Sequence, residues 1–179
     1  MCATDRAAKD AAIARFTGAY PRAADAGAGH PALHGCENVR WPAFPGCPAA
    51  IPVILRALAD RTAASEAQRV LVNSLFDSVT EMNAAVPEVL PFLLRLAGDE
   101  RLPGRSGLLD CLVEFAESAE PVGGDDEIAV LWLGSDSDHP EREGCRAVFA
   151  DHARAVAMLP EGLITAGGRA TLRRAAGLD

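Results

Sequence analysis

The chain has 179 residues, 49% hydrophobic and 23% charged, which suits one domain with a real core and excludes a disordered polypeptide. No segment approaches the roughly 18 uninterrupted apolar residues of a spanning helix, so no membrane-spanning helix is expected. The formal net charge of −8 argues against nucleic acid as a partner, because an anionic surface repels phosphates.

Residues 5–17 are predicted as a first helix, with Thr4 as its N-cap and Gly18 as its stop. Ala8, Ala12, Ile13 and Phe16 line one side of it. This start is charged along its length rather than basic and then apolar. No secretory signal is therefore read, and the cytoplasm is the expected location. Residues 19–46 are rich in Gly, Pro and small side chains, with Trp41, Phe44 and Pro45 in the second half. They are expected to form an irregular connection whose aromatics pack onto the helices, and connections of this length are commonly functional.

A repeat then begins. Pro48, Pro52, Arg56 and Asp60 recur as Pro87, Pro91, Arg95 and Asp99, at a constant offset of 39 residues. Ile51, Val53, Ile54 and Leu55 recur in step as Leu90, Phe92, Leu93 and Leu94. Such a period belongs to stacked helical pairs, which often serve as binding surfaces. The whole chain, 1–179, is read as one domain. It comprises a helix and long connection over 1–46, one repeat over 47–80, a second over 83–119, and a degenerate repeat with a C-terminal cap over 121–179.

Within the first copy, Pro48 should open a helix that Pro52 kinks or restarts, and Pro91 should do the same in the second copy. Ser65-Glu66-Ala67-Gln68 has the spacing of a capping box, and Val70, Leu71, Ser74, Leu75, Ser78 and Val79 follow as a helical stripe. In the second copy Gly98 should end one helix and Pro103 begin the next, with Leu108, Leu109, Leu112, Val113 and Ala116 inward. After a break at 121–124 comes an apolar run, 128–133, too short to assign to strand or helix. Trp132 stands 39 residues after Leu93, so this run occupies the place of a third repeat's core, and burial is expected for its tryptophan. Residues 141–159 read as one helix or two short ones, with Cys145, Val148, Phe149, His152, Val156 and Leu159 inward. A last helix near 169–176 should cap the stack.

Little of the sequence points to catalysis. The five cysteines are irregularly spaced and do not form a disulfide framework, and Cys111 and Cys145 fit small core positions. Cys36 and Cys47 lack the activating context of a nucleophile. Ser135, Asp136, Ser137, Asp138, His139 and Glu141 gather metal-ligating atoms but lack the glycine and distant glutamate of a calcium loop. His30, His34, Cys36 and Cys47 lack the paired spacing of a structural zinc site. Glu114, Glu117 and Glu120 recur as a solvated helix face would. Gly123-Gly124 and Gly167-Gly168 lack the lysine and spacing of a phosphate loop. No catalytic residue, metal or cofactor is assigned, and the balance is against an enzyme.

The distribution of charge is more informative. Residues 1–109 carry 11 acidic and 11 basic side chains, whereas 110–151 carry 12 acidic ones against Arg142 and Arg146 alone. That regional excess of −10 would attract a basic protein and speed its association. Asp110, Glu114, Glu117, Asp125, Asp126, Glu127, Asp136 and Asp138 are the candidate partner-binding residues, with Trp132 beside them as an aromatic anchor if it is exposed.

The stretch Ala84-Ala-Val-Pro-Glu-Val-Leu-Pro-Phe-Leu-Leu-Arg-Leu-Ala97, then Asp99, then Leu102-Pro-Gly-Arg-Ser-Gly-Leu-Leu-Asp-Cys-Leu112, resembles bacterial HEAT-like repeat proteins. The likeness covers 48–120 well and the rest loosely. It implies an all-α fold: a short HEAT-like α-solenoid of antiparallel helix pairs, entered through an irregular Gly/Pro-rich connection and used as a binding scaffold. Some similar small acidic helical proteins are immunity proteins that neutralise a toxin, and the acidic region would suit a basic toxin domain. The competing expectation is a small-molecule-binding protein or enzyme of bacterial secondary metabolism. Its pocket would lie between the repeats and the 19–46 segment, lined by Trp41, Phe44, Trp132 and His139.

Overall fold

In the computed structural model, residues 6–78 and 80–178 are described. Cys2, the expected cap Thr4 and Val79 lie outside the described residues. Every regular element among them is helical: α1 (Arg6–Ala19), α2 (Ile51–Ala57), α3 (Ala64–Leu75), α4 (Val86–Ala97), α5 (Arg105–Ser118), α6 (Glu127–Leu133), α7 (Pro140–Asp151), α8 (Ala153–Ala157) and α9 (Ala166–Ala175). Short 3-10 turns join them, and the sole extended pairing among the described residues is an isolated bridge between Phe76 and Met82. Among the described residues, no helix is long and apolar enough to cross a membrane.

Helix α4 lies at the centre of the packing. It buries Val86, Val89, Leu90, Phe92, Leu93, Leu94, Leu96 and Ala97, and it contacts α5 and α7. Pro91 sits inside it without ending it, so of the two expected outcomes, a kink or a restart, the helix does not restart. A mid-helix proline costs about 3 kcal/mol, whereas each large apolar side chain fully buried contributes about 1.5–3 kcal/mol. The buried face therefore outweighs the missing hydrogen bond.

At the 39-residue offset the first helices of the two copies end within one residue of each other but begin a full turn apart. Helix α2 starts at Ile51, so Pro52 occupies its first turn and Pro48 lies outside it. Helix α4 starts one turn earlier in the repeat frame, at Val86, with Pro87 in its first turn. The reason is Asn83, whose Oδ1 accepts from the Ala85 N–H at 3.0 Å and whose carbonyl accepts from Val86 N–H. The matching residue of the first copy is Phe44, which has no side-chain acceptor to start that turn. Asp60 and Asp99, by contrast, act alike. Asp60 Oδ1 accepts from Thr62 N–H and Asp99 Oδ1 from Arg101 N–H, both at 2.8 Å, so each closes the turn after the first helix of its copy.

Ser65 and Gln68 do not form a capping box. Helix α3 begins at Ala64 without a side-chain cap, and the Asp60 carboxylate supplies the local acceptor for Ala63 N–H. Gln68 instead crosses to the next helix pair, donating from Nε2 to the Gly104 carbonyl at 2.6 Å. Gly107 permits this contact, because a Cβ there would lie 2.4 Å from Gln68 Oε1. Gly104, at φ +67°, is the residue that opens α5, rather than Pro103.

The 20–47 segment fills space between elements. Its turn Ala23–Asp25 packs on α2 and its turn Pro31–Leu33 on α4. Trp41 is buried at 2% exposure and donates its indole N–H to the Cys36 carbonyl at 3.0 Å. His30 Nδ1 accepts from Ala32 N–H, leaving Nε2 to donate to Asp99 Oδ2 at 3.0 Å. The C-terminal helices complete the molecule: α7 packs on α4, and α9 packs on α5 and α7. The 140–159 region forms two helices, which bury Cys145, Phe149, Val156 and Leu159, with Val148 and His152 half-buried.

Residues 128–133 correct the sequence reading. They form the helical part of α6, but none of its residues is buried. Trp132 is 67% exposed, and α7 and α9 supply the main packing against α4 and α5.

Gly27 gives a direct test of how the long connection is seated. A Cβ there would lie 2.4 Å from the Arg56 carbonyl oxygen and 2.7 Å from its Cα, so Gly27→Ala must push the segment off α2. A loss of about 1–3 kcal/mol is expected, measured as the urea midpoint. Gly18→Ala, with nothing within 4 Å, should stay neutral or stabilise slightly because it lies in helix α1.

Candidate functional site

The acidic region is built on α5 and the turn that follows. Helix α5 turns Leu108, Leu109, Leu112, Phe115 and Ala116 inward, leaving Asp110, Glu114 and Glu117 exposed along its outer face. Asp125, Asp126 and Glu127 continue the exposed row into α6, and Asp138 is exposed beyond it. The Glu114 carboxyl lies above its ordinary value, first because it is partly desolvated and then because Glu117 is charged beside it, although the residue itself is open to solvent.

Asp136 does not belong to that outward row. Its carboxylate accepts from Arg146 at 3.0 Å, from Arg142 at 3.5 Å and from Val122 N–H at 3.3 Å. Burial alone would raise its pKa. The Val122 N–H and the two guanidinium groups outweigh that effect and hold it below the usual value. Arg142 is 2% exposed and also donates to the Leu133 and Gly134 carbonyls, while Arg146 donates to the Ala119 carbonyl at 2.7 Å. The two arginines therefore close the C-terminal ends of α6 and α5. Their charge is spent internally, as is that of Glu120, which pairs with Arg174. Among the described residues, none of Asp110, Glu114, Glu117, Asp125, Asp126, Glu127 or Asp138 forms an ion pair.

Beside these carboxylates α6 exposes Ile128 at 73%, Leu131 at 81% and Trp132 at 67%. The helix is held at its ends by polar groups. Asp126 Oδ1 accepts from Ala129 N–H at 3.0 Å, and Arg142 takes the last carbonyls.

Trp41, Phe44, Trp132 and His139 are not brought together. Trp41 lies in the core, Phe44 packs half-buried against it, and Trp132 faces solvent. His139 Nδ1 is bonded to Glu141 Oε1 at 2.9 Å. The two grooves described here involve none of the four. One, of about 850 Å³, runs between α1 and α3 past Lys9, Arg15, Tyr20, Arg69 and Phe76 to Glu114. The other, of about 370 Å³, lies beneath α6.

Among the described residues no three His, Cys, Asp or Glu side chains are placed to hold a metal. His30 is engaged with Asp99, and Cys36 and Cys47 are buried. Desolvation pushes Cys47 up to about 11 and both Cys111 and Cys145 up to about 12. Such raised values suit buried packing thiols rather than activated nucleophiles.

Lys9, the only lysine among 17 basic residues, is a feature that motif reading misses. Its side chain is 1% exposed and its Nζ meets Asp77 Oδ1 at 2.5 Å. Asn83 Nδ2 donates to both Asp77 oxygens and to the Pro45 carbonyl. A single lysine amid arginines was the available signal, but its partner lies 68 residues away.

No family model, characterised protein or solved structure matches this chain.

Two measurements test this geometry. Asp77→Ala strands a buried ammonium and should cost about 3–5 kcal/mol. Lys9→Met leaves a carboxylate that is 35% exposed and still held by Asn83, so its loss should be smaller. Equal shifts in urea midpoint would contradict the asymmetry.

The second measurement concerns acid. A carboxyl lowered by folding stabilises above its unfolded pKa of about 3.9 and loses that contribution as pH falls through the folded value. Asp136→Asn should therefore destabilise by about 1–3 kcal/mol at pH 7. The gap from the parent protein should close toward pH 3, as read from denaturation midpoints across that range.

Proposed function

We propose that this protein is a non-catalytic protein-binding module whose acidic face receives a basic partner. In its most specific form it is an immunity-type protein that blocks a basic toxin domain. The reading rests on one observation: seven exposed carboxylates on and around α5 and α6 are left without arginine partners among the described residues. Arg142 and Arg146 neutralise Asp136, a surface pair with Arg174 engages Glu120, and the outward row is left to act on a partner's charge. The contacts of α2 with α3, α4 with α5 and α7 with α9 support a short HEAT-like stack of helix pairs as the scaffold. Contacts of α3 with α5, α5 with α9 and α4 with α7 would then join successive layers.

The small-molecule reading has less support, because its four lining residues are dispersed and the 20–47 segment is seated directly on α2 and α4. A groove exists between α1 and α3, but it touches that segment only at its start.

The test is titration calorimetry with purified basic nuclease domains of bacterial toxins, at 50 and 500 mM salt. Binding should weaken by at least about tenfold between the two salts, since exposed charge pairs are screened. Reversing Asp125, Asp126 and Glu127 to arginine should remove most of that salt dependence. Binding unaffected by salt and by charge reversal would overturn the reading.

A further inference from the structure

We propose that α6 is the anchor of the interface: Ile128, Leu131 and Trp132 enter an apolar cavity of the partner, and the surrounding carboxylates meet a cationic rim. This rests on the protein-binding reading above and specifies the chemistry of that partner. The three residues stand at i, i+3 and i+4, so they share one face of the helix. All three are at least two-thirds exposed, although tryptophan and large aliphatic side chains are ordinarily covered. Asp125, Asp126, Glu127 and Asp138 are exposed at the borders of the same element, and an apolar centre inside a charged rim is how interfaces are organised.

The mounting of α6 favours display. A seven-residue helix is too short to persist by its own hydrogen bonds. Here it is fixed by the Asp126 cap and by the buried Arg142 guanidinium on the Leu133 and Gly134 carbonyls. Ala129 and Leu133, on the opposite side, line the groove beneath it with Glu117, Glu120 and Arg142. The inner side of α6 thus meets a mixed lining, with Pro121 and Val122 beside those polar groups, while Trp132 on the other face is no part of that groove. A second copy is a poor occupant as well, because pairing α6 with α6 would set Asp125, Asp126 and Glu127 against their own counterparts. A cationic protein with an apolar cavity satisfies both the charge and the face.

Trp132 is its own reporter, since Trp41 is 2% exposed and Trp132 67%. The probes are the basic protein that binds in that calorimetry and, as a cation without a cavity, a short polyarginine peptide. With the basic protein, Trp132 emission should shift to the blue and lose its acrylamide quenching, whereas polyarginine should leave both unchanged. Trp132→Ala, at an exposed position, should keep the circular dichroism spectrum and melting temperature. It should also weaken binding about 30-fold or more while leaving the salt slope intact.

Salt-dependent binding that Trp132→Ala changes less than threefold would overturn the anchor and spare the acidic-face reading. No binding to any of the basic nuclease domains by either form at 50 mM salt would remove both. Quenching protection that rises with this protein's own concentration would assign α6 to a second copy. Protection already complete in the dilute monomer would assign it to the protein's own body. Either result overturns the proposal.

Discussion

The ammonium of Lys9 has been taken out of water, and the Asp77 carboxylate makes that tolerable. Stripping a cation of its hydration is costly unless a counter-charge and further hydrogen bonds replace it. Asp77 supplies the charge, and Asn83 steadies Asp77 while reaching the Pro45 carbonyl. The same Asn83 starts α4 through the Ala85 N–H. One polar chain thus runs from the N-terminal helix, across the turn after α3 and the end of the long connection, to the start of the central helix. Apolar packing alone would let these pieces slide; a buried charge admits few arrangements.

Around α6 and α7, Arg142 and Arg146 have a parallel role. They gather the ends of α5 and α6 and the Asp136 carboxylate into one joint. The acidic face depends on that joint, because the two cations of the 110–151 region are turned inward by it. Had they faced outward, the regional charge would have been diluted where a partner could meet it.

Much of the helical order was legible in the sequence, since amphipathic spacing is local and each helix carries its own stripe. The 39-residue echo falls on helices in both copies, α2 and α4, and Asp60 and Asp99 have matching roles because an aspartate's turn bond reaches only two residues ahead. What was illegible depended on distant partners. Gln68 looks like half of a capping box until the Gly104 carbonyl appears across the helix interface. The early start of α4 depends on Asn83, where the first copy has Phe44. An apolar run such as 128–133 has the same composition whether buried or displayed, so its exposure could not be read from periodicity. For the candidate site, most of the carboxylates followed from charge counting. Asp136 did not, because the two arginines beside it in sequence are what enclose it.

The burial of Lys9 also determines how the folded surface can be handled chemically. Reagents that acylate or alkylate ε-amines depend on a free, solvated lysine, and the chain's single one is enclosed between α1 and Asp77. Cations on the exterior are guanidinium groups, which such reagents leave untouched. Attachment chemistry directed at lysine therefore has no ε-amine to engage on the native exterior, and modification at that atom becomes a mark of molecules in which α1 has come away.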